Sequence, residues 1–172
     1  MARDTATRVP AEVGAGLDFE EFFRSEHLRL GKAIYLLTGD AAEAEDLSQE
    51  ALARAYERWD RVRSMESPVG YVYRIAVNLY RRRLRRRALL RQVEAPPMED
   101  EDPANVAGRR SDLLSALRAL SIEQREAVVL VEWLGYTAEE AGRVLGIEPG
   151  SVRSRLHRAR AALHERQGGF DE

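Results

Sequence analysis

Cysteine is absent from this 172-residue chain, which excludes disulfides and thiol chemistry and argues against a zinc finger. Lysine is almost absent: of 27 basic residues only Lys32 is not arginine, a bias that points to a GC-rich genome. Apolar runs of membrane-spanning length, about 20 residues, are missing too. The opening MARDTATRVPAEVGAG has no hydrophobic signal core. The expectation is a cytoplasmic protein with no membrane insertion. Histidine is sparse and scattered at His27, His157 and His164, so no metal site is expected. Glu139 and Glu140 are adjacent, but neighbours on a helix point in different directions and do not make a catalytic pair. No phosphate-cradling glycine loop and no nucleophile motif occurs. These absences point to a protein that is not an enzyme and uses no cofactor.

What is present is charge, sorted into blocks. A formal net charge of −2 conceals the sorting. Between Lys32 and Arg54 every charge is negative: Asp40, Glu43, Glu45, Asp46 and Glu50. From Arg74 to Arg91 every charge is positive, and from Glu94 to Asp102 every charge is negative again. Blocks of this kind imply at least two partner surfaces of opposite sign.

The stretch SPVGYVYRIAVNLYRRRLRRRALLR, Ser67 to Arg91, organises the rest. Ser67 as N-cap followed by Pro68 is a helix start signal. Val69, Val72, Tyr73, Ala76, Val77, Tyr80 and Leu84 then recur at the three-and-four spacing of one buried face. Tyr71, Arg74, Asn78, Arg81, Arg82 and Arg85 share a second face. So many guanidiniums repel one another unless anions neutralise them, and phosphates do so while Asn and Tyr reach bases. Taken alone, the run is equally compatible with a solvated basic helix end.

Upstream, Phe19, Phe22, Phe23, Leu30, Ile34 and Leu37 predict an amphipathic helix closed by Gly39. Asp40 with Glu43 reads as a capping box for the next helix, which buries Ala44, Leu47, Ala51 and Ala55. Glu45, Asp46, Gln49 and Glu50 fall outside that stripe or at its border. Residues 1–16 have no periodicity and are expected to form a flexible tail, leaving 17–91 as one helical unit. Residues 92–108, with three prolines and five acids, are expected to be a flexible acidic linker. Its charge suits either a solvated spacer or a mask for the basic surfaces.

A second unit follows at 109–166, with a short tail at 167–172. Leu113, Leu114, Leu117 and Leu120 mark its first helix, and Ser121 with Gln124 opens the next, stopped by Gly135. Thr137 with Glu140 caps a short helix that ends at Gly146, and Pro149 starts a final helix with Val152, Leu156, Ala159 and Leu163 inward. A short capped helix, a glycine turn and an Arg-rich helix form the helix-turn-helix pattern. Gly142 allows close approach of the two helices, and Ile147 fills the space between them. Ser151, Arg153, Ser154, Arg155 and Arg158 then face a major groove, where Arg and Ser bind base edges or phosphate. The predicted fold class is all-α: two small helical domains joined by an acidic flexible linker, the second with a helix-turn-helix.

In this order, YLLTGDAAEAEDLSQEALARAYERW, SPVGYVYRIAVNLYRRRLRRR, ALRALSIEQREAVVLVEWLGYTAEEAGRVLG and IEPGSVRSRLHRARAAL resemble the extracytoplasmic-function (group 4) sigma factors of the sigma-70 family, actinobacterial-like. The resemblance covers roughly Phe19 to Arg166. It implies a region 2 domain at 17–91, a region 4 domain at 109–166, and the direction of core RNA polymerase to promoters to initiate transcription. By resemblance, Asp46, Gln49 and Glu50 dock on the polymerase β′ clamp. Ser64, Ser67, Tyr71, Arg74, Asn78, Arg81, Arg82 and Arg85 recognise and melt the −10 element. Ser151, Arg153, Ser154, Arg155 and Arg158 bind the −35 element. Partners are then core polymerase and promoter DNA, and many relatives are also held by an anti-sigma factor. Relatives usually carry Trp at the position of Tyr71 and Ile-Ala at Ala141–Gly142. The competing reading is a helix-turn-helix DNA-binding regulator that does not bind core polymerase.

Overall fold

A computed structural model describes residues 16–93 and 108–168. The expected tail before Gly16, residues 94–107 of the expected linker and the last four residues lie outside the described part. Among the described residues the fold is all-α. Helix α1 runs Phe19–Thr38, α2 Ala41–Tyr56, the short α3 Trp59–Val62 and α4 Pro68–Val93. After the linker come α5 Gly108–Arg118, α6 Ile122–Val128, α7 Ala138–Leu145 and α8 Pro149–Gly168. None of these helices is long and apolar enough to cross a membrane.

Local chemistry sets most helix ends. Asp18 and Glu21 form a capping box for α1, Ser121 and Gln124 one for α6, and Thr137 and Glu140 one for α7. Each satisfies amide donors that the first turn leaves without a partner. Helix α1 stops at Gly39, whose φ of 73° is the left-handed conformation that a Cβ disfavours. At Gly142 a Cβ would lie 2.7 Å from the Ile147 carbonyl oxygen, so the glycine keeps the turn between α7 and α8 tight.

Two expectations are corrected. The Asp40–Glu43 capping box is only half formed: Asp40 accepts the Glu43 amide at 2.9 Å, but the Glu43 side chain turns away. It is buried and accepts from Arg87 of α4 at 2.9 and 3.2 Å. A guanidinium offers a stronger, bidentate partner than a backbone amide, and α4 lies close enough to supply it. Second, the helix opened by Ser121 does not stay regular to Gly135. At Val129–Trp133 it widens into a π turn, with the Leu134 amide donating to Val129 O at 2.9 Å.

The core explains the rest. Phe22, Leu30, Ile34 and Leu37 of α1 meet Leu47 and Ala51 of α2 and Val72, Tyr73 and Ala76 of α4, all fully buried. The stripe expected on α4 is buried from Val69 to Tyr80, with Leu84 half-buried at its end. In the second unit Leu130, Leu134, Ala141, Val152 and Leu156 pack together, whereas Leu113 is exposed. These two sets are contiguous: one apolar cluster runs from Phe22 through α4 to Val144 and Leu156. The units are therefore packed on each other.

Gly31 inside α1 and Gly39 at its C-terminal cap should respond oppositely to alanine. No heavy atom lies within 4 Å of a Cβ built at Gly31, so Gly31→Ala should stabilise the helix by about 1 kcal/mol. At Gly39 a Cβ would lie 2.7 Å from Arg118 Nε at a positive φ, so Gly39→Ala should destabilise by about 1 kcal/mol or more. Urea denaturation of the two variants checks both signs.

Candidate functional site

Helix α2 presents its acids where the period puts them. Glu45, Asp46 and Gln49 are exposed, because Ala44, Leu47 and Ala51 take the buried side. Glu50 is half-buried; it accepts from Arg54 at 2.7 Å and lies 3.6 Å from Arg83. Beside this face, Phe23, Leu28, Tyr35 and Leu52 line a groove of about 460 Å³ between α1 and α2. Phe23 and Leu28 are exposed there, and His27 stacks on Phe23 with ring centroids 4.5 Å apart. An apolar groove edged by Glu45, with Asp46 exposed on the same helix, suits a helical protein partner carrying cations on its flank.

Helix α4 begins as the sequence predicts: the Gly70 amide donates to Ser67 Oγ at 3.1 Å. Along the helix Arg74, Asn78, Arg82 and Arg85 are exposed, Tyr71 is half-buried, and Ser64 is exposed on the preceding loop. Arg81 departs from this face. It leans toward the second unit and makes a two-pronged contact with Glu126 of α6, from Nε at 2.6 Å and from Nη2. Arg83 and Arg87 reach the other way, to Glu50 and Glu43 of α2. The guanidiniums of α4 thus divide between internal partners and solvent.

On α8, Ser151, Arg153, Ser154 and Arg158 are exposed. Arg153 donates to Glu139 of α7 at 2.9 Å; a hydrogen bond from Glu139's own backbone amide, and then the Arg153 guanidinium, hold the Glu139 carboxyl below its ordinary value. Arg155 differs from the outward position expected for it. It is next to the buried Val152 and Leu156 and turns inward, its Nη1 3.9 Å from Glu126.

Glu126 is the residue that sequence reasoning passed over. It is 0% exposed. Burial pushes its carboxyl above the ordinary value, while Arg81 and then Arg155 pull it back. The signal was a carboxylate inside the densest apolar face of the second unit, one helical turn before Leu130. Other contacts across the units were equally silent in sequence. Ser67 Oγ shares a hydrogen bond with Tyr136 OH at 2.7 Å. Arg125 donates to Leu37 O at 2.7 Å and Arg118 to Gly39 O at 2.6 Å, two cations at the negative end of α1. Met65, Ser67, Tyr71 and Arg74 line one wall of a cleft of about 190 Å³, and Tyr136, Glu140, Arg143 and Val144 line the other. Among the described residues no cluster of His, Cys, Asp or Glu has the makings of a metal site.

The split within α4 is measurable. Arg82→Ala should lower the slope of log K against log salt for single-stranded DNA by about 0.7 and leave stability unchanged. Arg87→Ala should instead destabilise the fold by roughly 1–3 kcal/mol, because it removes both guanidinium hydrogen bonds to buried Glu43 and leaves it only Arg83 at 3.9 Å. Fluorescence anisotropy across a salt series and thermal denaturation separate the two.

Comparison with known proteins places these faces in context. Residues 22–89 match the family description "Sigma-70 region 2", and residues 110–163 match "Sigma-70, region 4". The RNA polymerase sigma-E factor of Streptomyces coelicolor is 34% identical over 157 residues, covering 89% of this chain and 88% of that protein. The ECF RNA polymerase sigma factor SigM of Mycobacterium tuberculosis is 33% identical over 168 residues, covering 94% and 83%. Among solved structures, the sigma factor RpoE of Bartonella quintana, crystallised with the anti-sigma factor NepR, superposes with a TM-score of 0.73 at 26% identity, covering 86% of this chain and 95% of that one. With both regions matched and relatives similar over nearly their whole length, the chain belongs to the sigma-70 family, as an extracytoplasmic-function sigma factor that directs RNA polymerase to promoters.

Proposed function

We propose that this sigma factor divides its work among three faces. The exposed Asp46 and Gln49, the half-buried Glu50 and the adjoining apolar groove bind the β′ clamp of core polymerase. Ser64, Ser67, Tyr71, Arg74, Asn78, Arg82 and Arg85, with Arg81 once released, hold the opened −10 strand. Ser151, Arg153, Ser154 and Arg158, again with Arg155 once released, read the −35 duplex. The single observation that supports this division is the separation of charge: solvent-facing carboxylates on α2 and solvent-facing guanidiniums on α4 and α8.

No bond is made or broken in this reading. Unstacking a base step costs a few kcal/mol. Stacking on an aromatic such as Tyr71 returns about 1–3 kcal/mol per base, and Arg–phosphate contacts add to it. Binding energy alone thus shifts the promoter toward its melted form. An anti-sigma factor is a further partner class, as in the Bartonella structure.

Run-off transcription with purified core polymerase tests the polymerase face. Asp46→Arg with Gln49→Arg reverses the outer charge while keeping the buried stripe, and should weaken core binding at least tenfold and abolish specific run-off. Unchanged run-off by the double variant would assign polymerase binding elsewhere. Arg158→Ala should cost roughly 1–3 kcal/mol on −35 duplex DNA, read by titration at fixed salt.

A further inference from the structure

Of the solvent-facing residues that α8 offers to the −35 duplex, Arg153 has a carboxylate beside it. Its Nη1 donates to Glu139 Oε1 of α7 at 2.9 Å, with the two side chains 60 and 58% exposed. A pair this open to solvent contributes little to stability, so holding the fold together does not account for it. What it does is fix a long side chain. Glu139 stands in the first turn of α7, where its own backbone amide also binds its carboxyl. That turn is itself held by the reciprocal cap, the Thr137 amide donating to Glu140 at 2.7 Å and the Glu140 amide to Thr137 at 3.2 Å. Gly142 keeps α7 close to α8, and Ala141 and Val152 are fully buried. The Glu139 carboxylate is therefore a fixed point next to the DNA-facing side of α8, and it restricts the rotamers that Arg153 samples.

The bond to Glu139 uses Nη1 and leaves Nε and Nη2, an edge with two donors side by side. Such an edge matches guanine O6 and N7 in a major groove. The carboxylate also repels phosphates, so it opposes a slide of Arg153 onto the DNA backbone. Arg158 has a different setting: its Nε bonds the Ser154 carbonyl of its own helix at 3.3 Å, with no fixed point supplied by α7. We propose that Glu139 is a positioning residue for promoter readout, holding Arg153 toward a guanine edge and away from phosphate. Specificity at one base pair of the −35 element then depends on a residue of α7 that does not itself touch the base. This proposal rests on the reading in which Arg153 contacts the −35 duplex, and the experiment separates the two.

Holoenzyme assembled from the full chain and core polymerase, selected on duplexes with a randomised −35 segment, yields a base preference at every position. Arg153→Ala should erase a guanine preference at one of them. Glu139→Ala should lower that same preference roughly three- to tenfold and leave the other positions as they are. The freed guanidinium should settle on a phosphate, so the slope of log K against log salt for a random-sequence duplex should steepen by about 0.9. Glu139→Gln keeps an acceptor for Arg153 and should retain more of the preference than Glu139→Ala, with the same Tm. Weakening spread evenly over all positions, together with a lowered Tm, would make the role structural and overturn the proposal. An unchanged preference in Glu139→Ala would overturn it as well. A loss at a position other than the one Arg153 reads would mean that Glu139 touches a base directly, and the positioning role would fall. Unaltered preferences in Arg153→Ala would remove the −35 reading of Arg153 and the proposal with it.

Discussion

A carboxylate that has lost all contact with water must be matched by cations at close range, or its desolvation would cost several kcal/mol. Glu126 is in that position, and what surrounds it decides how the molecule is put together. Within its own unit it has Arg155 at 3.9 Å, beyond hydrogen-bond distance. The direct bonds come from Arg81, across the boundary between the units. Packing of the helix-turn-helix unit on the first unit is thereby tied to an ion pair as well as to apolar burial. Either unit alone would leave half of that arrangement without its partner.

The same logic accounts for the unusual density of arginine on α4. Three of its guanidiniums have internal duties. Arg81 reaches the second unit, while Arg83 and Arg87 reach the buried or half-buried acids of α2. Arg74, Arg82 and Arg85 remain on the solvent side with Asn78. A single helix thus pins α2 beneath it, receives the second unit at its flank and keeps a cationic face outward. On α2 the division is parallel. Glu43 and Glu50 face α4, and Asp46 with Gln49 face away. The opposite charges of the two helices are partly spent holding the unit together, and the remainder is left for partners.

How much of this could be read in the sequence follows from the range of each interaction. Caps were legible because donor and acceptor lie three residues apart, as in Ser121–Gln124 and Thr137–Glu140. Buried stripes were legible because the α-helical period sorts them within one helix, as from Val69 to Tyr80 or from Val152 to Ala159. Glu43 was misread because its short-range capping partner competes with Arg87, 44 residues away, and the distant guanidinium wins. Arg81 and Arg155 were placed on outward faces by period alone. Their inward turn depends on Glu126, which no local rule connects to either. The hydrogen bond between Tyr136 and Ser67 is likewise a product of docking between distant segments. Local rules found the faces, and the resemblance of four stretches pointed to the family; neither reached the packing between units that covers part of those faces.

Closure of the free chain can be measured as a distance. Glu57 and His157 are exposed on different units, and the chain has no native cysteine to interfere with labelling. Spin labels at Glu57→Cys and His157→Cys, read by pulsed electron paramagnetic resonance, report the separation of the units in solution. Closure around Glu126 predicts one narrow distance in the free chain, and a shift of weight to longer, broader distances when Glu126→Gln is added or core polymerase is bound. A broad, long distribution in the free chain, indifferent to Glu126→Gln, would contradict it.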